Sequence, residues 1–469
     1  LDDRFESSRR HIEEIDPDCE TFGAAGFFGL AIAYQGIDDP GTFPLCPMIV
    51  SPQHRVEEEP VTRQFNVAEL RAQRRRQLGK IETAFNRASR SLILGPFVTA
   101  AAGFFAALPL LANVFSPHIA HRVRKTVERW WLPEPLTRLT ALRAEGTGPS
   151  AEAVMGGFTL DEMTTRVAAF FMNTGFTVFA PIVLAIGHDS SSVNNPLFPA
   201  YSCAACGGRS GGPNARLMAR MANHPGVRLK LAEKGIVVPD DTYFVGAIYD
   251  TTTDTIQYYD TDEFPPSVLA QLGEIRKKLD EMLKRNAHER SRRFESAPRK
   301  MTSDQALRHV ERRAVDLSEA RPELGHAGCA STLFGRRSRT RGLFMDRRCL
   351  LVSYNPELDP EGALIEKILF NVSPVGAGIS LDYYFSSIDP ARLGSDSKLP
   401  HNVTGLFGVM NGACSDLRPG LPRQATEMHE PMRNLVIIEA TPELLTGICE
   451  RQPSVAELVV NEWIKVAAL

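Results

Sequence analysis

A ten-residue run without a charge, Thr177 to Ile186, places the strongest constraint on the fold of this chain. Its sequence, TVFAPIVLAI, is typical of a strand that is buried on both faces, as in a parallel sheet covered by helices. A second apolar run predicts another buried strand from Thr242 to Tyr249, and the residues between the two strands predict a helix from Asn214 to Asn223. This order of elements predicts an α/β fold with a mixed or parallel sheet.

Side chains that bind metals follow directly after the first of these strands. His188 stands at the carboxyl end of the strand, where open α/β sheets bind ligands, and Cys203 and Cys206 follow it. Zinc binds His nitrogen and Cys sulfur, and both side chains can reach one ion if the intervening loop folds back over the strand end. The sequence therefore predicts a zinc site. Cys206 is a competing ligand, and a buried histidine beside a structural cysteine is the alternative.

Composition excludes some classes of function. The 469 residues are too many for one core, so we expect several sub-domains. Lys and Arg number 53 against 56 Asp and Glu, and this balance argues against a nucleic acid as partner. The eight cysteines show no disulfide framework, which indicates a reducing, cytoplasmic setting. The chain starts at a charged segment without Met or a secretory leader, so we expect it to begin inside a longer protein.

An uncharged segment from Leu92 to Ala112 is long enough to cross a bilayer as a helix. Pro96, Pro109 and two glycines favour instead a buried or broken core helix, with a membrane span or a helix docked on a membrane partner as alternatives. The charged stretch from Val56 to Arg90 predicts a solvated or partner-facing helix that runs to Ser91, and the charged stretch from Ser267 to Lys300 predicts a solvated helix.

Asp2 and Arg4 at the start of the chain form a second candidate site. Residues two apart on a strand project to the same face, so this carboxylate and guanidinium can pair. The spacing resembles the second half of the C-x-D-x-R pattern of beta-class carbonic anhydrases. In that pattern a zinc-binding cysteine would stand immediately before Leu1.

Longer motifs resemble the DabA family over nearly the whole chain. They are Glu20 to Gly29, His188 to Gly208, Asn214 to Arg216, His401 to Met410 and Leu421 to Pro431. DabA is the large subunit of a bacterial inorganic carbon transporter. It lies on the cytoplasmic side of the inner membrane as a peripheral protein, with a proton-channel-like membrane subunit, DabB, as its partner.

The resemblance implies a Zn2+ ion bound by Asp2, His188, Cys203 and the cysteine expected before Leu1, with Arg4 pairing with Asp2. It also implies a beta-carbonic-anhydrase-like core that hydrates CO2 to bicarbonate in one direction, coupled to transport. Asp2 on zinc would block the water site, so the active state would need Asp2 to move onto Arg4. We therefore assign Asp2 and Arg4 to catalysis and Asp2, His188 and Cys203 to the metal.

Two other functions stay open from sequence: a free-standing soluble zinc enzyme, such as a carbonic anhydrase or hydrolase, and a purely structural zinc site. The predicted organisation is a zinc-binding core in two parts, a helical insertion, a charged helical region and a C-terminal α/β region. The two core parts are residues 1–50 and 166–260. The helical insertion is residues 51–165, the charged helical region is 261–315, and the C-terminal α/β region is 316–469.

Overall fold

Helices and strands alternate along the chain, and the α/β class predicted from sequence is confirmed. The computed structural model describes residues 1, 4–47, 50–143, 155–191, 202–203, 206–316, 330–394, 410–411, 416–417 and 432–469. The strands are β1 (Ile32–Gln35), β2 (Phe43–Leu45), β3 (His54–Pro60), β4 (Thr137–Leu139), β5 (Met155–Gly156), β6 (Ile182–Asp189), β7 (Tyr243–Asp250), β8 (Thr255–Tyr258), β9 (Ser331–Gly335), β10 (Cys349–Ser353), β11 (Met410–Asn411), β12 (Asp416–Leu417), β13 (Asn434–Ile438) and β14 (Ile464–Ala468). The helices are α1 (Glu6–Ile15), α2 (Phe65–Ser89), α3 (Gly95–Phe115), α4 (Pro117–Trp131), α5 (Leu160–Thr174), α6 (Gly212–Asn223), α7 (Pro225–Glu233), α8 (Pro266–Ser291), α9 (Ser303–Ala314), α10 (Ala363–Ile388), α11 (Pro442–Arg451) and α12 (Pro453–Val460).

The central sheet contains both strands predicted from the apolar runs. β6 and β7 run parallel along their whole length, from Ile182 opposite Tyr243 to Asp189 opposite Asp250, and β8 joins β7 antiparallel. β6 begins five residues after the start of the apolar run, directly after Pro181, a residue without a backbone donor for a sheet. The predicted helix between the strands is α6, and it packs against both β6 and β7.

Another sheet is formed by residues before this one in the chain, and a further sheet by residues after it. The N-terminal sheet has the order β2, β1, β3, β4, with β5 also on β3, and it mixes parallel and antiparallel pairs. The C-terminal sheet has the order β10, β9, β13, β14, and all of its pairs are parallel. These parallel strands and the helices that follow them give the C-terminal region an α/β structure, as the sequence predicted. A carbonic-anhydrase-like arrangement of the core stays a prediction.

Helix α1 joins the beginning of the chain to its C-terminal half. Eight of its ten residues are buried, from Glu6 to Glu13. Arg9 is almost completely buried and donates to the carbonyl oxygen of Leu351 at 2.8 Å, while Glu13 pairs with Arg337 at 2.7 Å. Buried charges persist where they are paired and hydrogen-bonded, so these contacts hold α1 against the C-terminal sheet.

Helix α8 differs from the prediction of a solvated helix. Its charged residues cover one side, but Leu279, Met282 and Leu283 are buried on the other, and Asn286 and Arg290 on that side are buried as well. Apolar residues three or four apart form one face of a helix, and here that face packs against α1. The high density of charge hid this stripe in the sequence.

Glu289 on α8 gives the α1–α8 contact a dependence on pH. Its carboxylate accepts hydrogen bonds from Arg10 at 2.8 Å and His11 at 3.0 Å. Burial acts to raise the pKa of Glu289, but the hydrogen bond from His11 and the charges of Arg347 and Arg10 outweigh it and lower the pKa to about 2. The stabilisation is therefore complete above the ordinary Glu value of 4.5 and is lost as the pH falls towards 2.

We expect Glu289→Gln to lower the free energy of unfolding by about 2 kcal/mol at neutral pH and to have little effect near the lower pKa. Urea unfolding at several pH values measures this. Glu274→Gln, on the exposed side of the same helix, is the matched control and should change nothing measurable. An equal loss of stability at every pH would contradict the assignment.

Residues 65–131 form an exposed helical unit, which we call the helical arm. It consists of α2, α3 and α4, and of these residues, all described, Gly95 alone is buried. The apolar segment predicted as a buried or broken core helix is therefore a continuous exposed helix, α3, with Pro109 inside it. Among the described residues, α3 is the one helix whose length and hydropathy would allow it to cross a membrane.

Candidate functional site

The carboxyl end of β6 brings His188 into the core of the protein. The His188 side chain is completely buried, and in the register of the sheet it lies opposite Tyr249 on β7. Phe5, directly before α1, packs edge-on against both rings, with centroid distances of 5.7 Å to His188 and 4.9 Å to Tyr249. The predicted strand-end position of the histidine is thus covered by the start of the chain.

The two ring nitrogens of His188 have different partners. Nε2 lies 3.1 Å from the Thr251 hydroxyl, and Nδ1 contacts the Arg4 guanidinium. A guanidinium can only donate, so Nδ1 must accept from Arg4, and the proton of a neutral ring then lies on Nε2 and is donated to Thr251. His188 is therefore held as a neutral imidazole whose Nδ1 lone pair is directed at a cation.

Arg4 reaches this position from a turn and not from a strand. It lies one residue before Phe5, the N-cap residue of α1, so the predicted strand geometry for Asp2 and Arg4 is wrong at Arg4. The chain must turn here because α1 starts two residues later. Asp2 lies outside the described residues, and its pairing with Arg4 stays a prediction. The structure nevertheless brings together two predicted site residues, Arg4 and His188, that are 184 positions apart.

Cys203 lies in a tight turn that leads back to β6. Its thiol-bearing side chain is completely buried, and its carbonyl oxygen accepts from the backbone N–H groups of Cys206 and Gly208, both at 2.9 Å. The segment then returns to the histidine, because the N–H of Gly211 donates to the carbonyl oxygen of His188 at 2.8 Å. The chain therefore returns to the end of β6 after Cys203, whereas the fold-back predicted for the loop before Cys203 stays a prediction, because residues 192–201 lie outside the described residues.

Close packing between β6 and this returning segment depends on Gly187. A Cβ atom at this position would lie 2.4 Å from the carbonyl oxygen of Gly211. Cys206, the competing ligand in the sequence prediction, is also buried, and its sulfur lies 3.8 Å from the Asn214 side-chain oxygen. Cys206 thus contacts α6, while the backbone of Cys203 supports the turn.

Residues behind His188 form a buried polar network that the sequence did not reveal. Arg290 and Asp254 form an ion pair whose two side chains are completely inaccessible to solvent. Arg290 also donates to the backbone oxygen of Thr251, and Asp254 accepts from Tyr249 and, at 2.7 Å, from Asn286. Thr251 and Asp254 lie in the turn that follows β7. Their position directly after a buried strand, like that of His188, was the available signal.

The residue after the histidine, Asp189, has a shifted pKa. Burial raises the pKa of Asp189, and the like charge of Asp250 on the neighbouring strand adds to the increase. Asp250 is held by backbone N–H groups of Ser191 and Thr252, at 3.2 and 2.9 Å. The edge of the sheet therefore combines a buried neutral imidazole with two carboxyl groups and a guanidinium that are partly exposed.

The histidine nitrogen and cysteine sulfur at this site are atoms of the types that bind zinc. A histidine ligand normally donates its second ring N–H to a neighbouring acceptor, as His188 does to Thr251, and a buried thiol is a common zinc ligand. Arg4 and a metal ion would compete for the same Nδ1 lone pair. Within the described residues, no three His, Cys, Asp or Glu side chains are grouped closely enough to hold a metal, and Asp2 is outside them. The ligand roles of Asp2, His188 and Cys203 stay predictions.

Comparison with known proteins covers the whole chain. The family model "Probable inorganic carbon transporter subunit DabA" matches residues 1–464. The chain is 49% identical over 470 residues to "Probable inorganic carbon transporter subunit DabA 2" of Sorangium cellulosum, covering all of this chain and 46% of that protein. A protein of Methylococcus capsulatus named "Probable inorganic carbon transporter subunit DabA" is 48% identical over 476 residues, covering all of this chain and 44% of its own length.

A more distant relative with the same name, from Azotobacter vinelandii, is 38% identical and is covered over 54% of its length. The chain thus spans about half the length of the curated relatives it matches. No solved structure matches it. The match of the family model to residues 1–464 and the identities along the whole chain show that this chain belongs to the DabA family.

Proposed function

We propose that this chain is the zinc-binding part of an inorganic carbon transporter subunit that hydrates CO2 to bicarbonate. The names of its relatives support a role in inorganic carbon transport. The observation that carries the proposal is the contact between Arg4 and the buried His188, which joins the start of the chain to the end of β6. Asp2 stands two residues before Arg4 in sequence.

In this proposal, His188, Cys203 and Asp2 hold the zinc ion, together with a cysteine placed before Leu1. Zinc bound at such a site supplies a Lewis acid that lowers the pKa of a water molecule to about 7. The hydrogen bond to Thr251 keeps the ring proton of His188 on Nε2, which leaves the Nδ1 lone pair able to bind a cation. This hydrogen bond does not involve Arg4. With a zinc ion on Nδ1, Arg4 would leave His188 and pair with the Asp2 carboxylate, and this pairing is the gate in the proposed cycle.

The proposed setting is the cytoplasmic side of the inner membrane, with a proton-conducting membrane subunit of the DabB type as partner. Coupling the exchange of Arg4 to proton movement in that partner would make hydration run in one direction. A purely structural zinc site is the second candidate. It is favoured by the complete burial of His188 and Cys203, since structural sites are closed by four protein ligands.

Zinc content tests the site independently of activity. We expect the chain extended by one cysteine before Leu1 to bind one zinc ion per chain, and His188→Ala or Cys203→Ser to weaken binding at least about a hundredfold. Cys349→Ser, at a buried cysteine in β10 of another sheet, is the matched control and should retain zinc. Full zinc binding by both His188→Ala and Cys203→Ser would rule out the proposed ligands.

The gate is tested with the complete transporter in cells. We expect Arg4→Ala to retain zinc but to reduce bicarbonate accumulation strongly, because Asp2 then has no partner away from the metal. CO2 hydration by the purified protein, with and without the membrane subunit, separates the two candidates. Undiminished uptake by Arg4→Ala would contradict the gate, and zinc binding without any hydration in either setting would favour the structural site.

A further inference from the structure

The helical arm exposes an unusually large apolar surface. On α3, the side chains of Phe104, Phe105 and Leu108 are 77%, 75% and 76% exposed, and Phe115 is 79% exposed. Soluble proteins rarely expose contiguous apolar patches larger than a few hundred Å². The surface of α3 therefore requires a second component that covers it.

The distribution of apolar residues around α3 indicates what that component is. Phe104 and Leu108 lie on one face, Phe105 is rotated from them by about 100°, and Leu110 and Val114 lie on the far side and are also exposed. A protein partner would cover one stripe of a helix. A helix that is apolar on all sides and is not buried in its own protein matches a hydrocarbon environment.

The helical arm carries an excess of positive charge, which an anionic surface attracts. Residues 65–131 contain eleven Lys or Arg and three Asp or Glu, a net charge of +8 in a chain whose total is -3. In α4, Ile119, Val123 and Val127 form an exposed apolar face, and Arg122, Lys125 and Arg129 lie beside it. Such a basic amphipathic helix is typical of binding in the plane of an anionic membrane surface.

The two ends of the arm lie at the same place, which limits how α3 can enter a bilayer. Arg71, near the start of α2, donates to the carbonyl oxygen of Leu132, directly after α4, at 2.6 Å. Arg74 donates to the carbonyl oxygen of Trp131, the last residue of α4, at 2.8 Å. A single span by α3 would put α2 and α4 on opposite sides of a membrane. The basic residues of α2 prevent it from serving as the returning span.

From these features we infer that the helical arm binds directly to an anionic lipid bilayer, with α3 immersed in one leaflet and the basic side chains of α2 and α4 on the lipid phosphates. This contact is separate from the zinc site and goes beyond attachment through a partner subunit. It makes the chain itself a lipid-binding protein.

Vesicle sedimentation with the full chain tests the inference. We expect binding to vesicles of an equal mixture of phosphatidylglycerol and phosphatidylcholine, and much weaker binding to phosphatidylcholine alone or when salt is raised from about 0.1 M to about 1 M. Phe104→Asp with Phe105→Asp should lower the partition coefficient at least about tenfold. Changing Arg122, Lys125 and Arg129 together to Gln should lower it about a hundredfold on anionic vesicles.

Val460→Asp, at an exposed apolar position outside the arm, is the control and should bind like the wild type. All these variants change exposed side chains, so their zinc content should match that of the wild type, which separates this inference from the proposed zinc function. Trypsin added outside sealed vesicles should cleave on both sides of the helical arm, at the exposed Arg63 before it and at the exposed Arg138 after it.

Three results would overturn the inference. Absence of binding to protein-free anionic vesicles would assign α3 to a protein partner. Self-association in sedimentation velocity that the Phe104 and Phe105 substitutions abolish, without vesicle binding, would assign it to a second copy of the chain. Protection of one of the two trypsin sites would show that α3 spans the bilayer.

Discussion

Asp254→Asn is expected to lower the free energy of unfolding by about 3–5 kcal/mol, the range observed when one member of a buried ion pair is removed. Asp254 and Arg290 are both fully inaccessible to solvent, so the substitution leaves the Arg290 guanidinium buried without its counter-charge. Asp254 has a positive φ of 52°, which Asn tolerates, so the change removes charge and keeps the backbone conformation available.

Equilibrium unfolding in urea measures this effect, and a double variant makes the test specific. Asp254→Asn combined with Arg290→Met removes both charges and should recover a large part of the stability lost by Asp254→Asn alone. Asp389→Asn is the matched control, because its partner Arg392 is 87% exposed. If the single and double variants lose the same free energy, the ion pair does not account for the effect.

The second large effect is expected at Gly187. Gly187→Ala would place a methyl group 2.4 Å from the oxygen and 2.6 Å from the carbon of the Gly211 carbonyl, and neither backbone can yield without moving β6 or the segment that carries Cys203. We expect a loss of about 3 kcal/mol or more. Because the segment would be displaced from His188, zinc affinity should fall as well.

The same chemical change at another site provides the control. Gly273 lies in the interior of α8, and a Cβ atom there would meet no heavy atom within 4 Å. Gly273→Ala should therefore raise stability by about 0.5–1 kcal/mol, since alanine loses less backbone freedom in a helix than glycine does. Effects of equal sign at Gly187 and Gly273 would refute the packing argument.

Sequence patterns predicted those parts of the fold that depend on near neighbours in the chain. The apolar runs that form β6 and β7, the helix α6 between them, and the strand-end position of His188 all follow from local periodicity. The hydrogen bond from His188 to Thr251 and the ion pair behind it join residues from separate elements. No local pattern encodes such contacts.

The environment of α3 could not be predicted for a different reason. An uncharged helix has the same sequence whether protein or lipid surrounds it, and the prolines that favoured a broken core helix are accommodated within α3. Only the tertiary structure shows that α3 is exposed and packs into no core formed by the described residues. Similarly, the dense charge on α8 was visible in the sequence, while its buried face depended on the position of α1.

The position of α1 also has a consequence for the order in which the protein folds during synthesis. Arg10 pairs with Glu289, 279 residues later, and Arg9 bonds to Leu351, 342 residues later. A ribosome adding about 5–20 residues per second needs roughly 15–55 s to synthesise the first of these intervals. For that time the nascent chain carries α1 without Glu289, so the contact between α1 and α8 can form only after α8 has been synthesised.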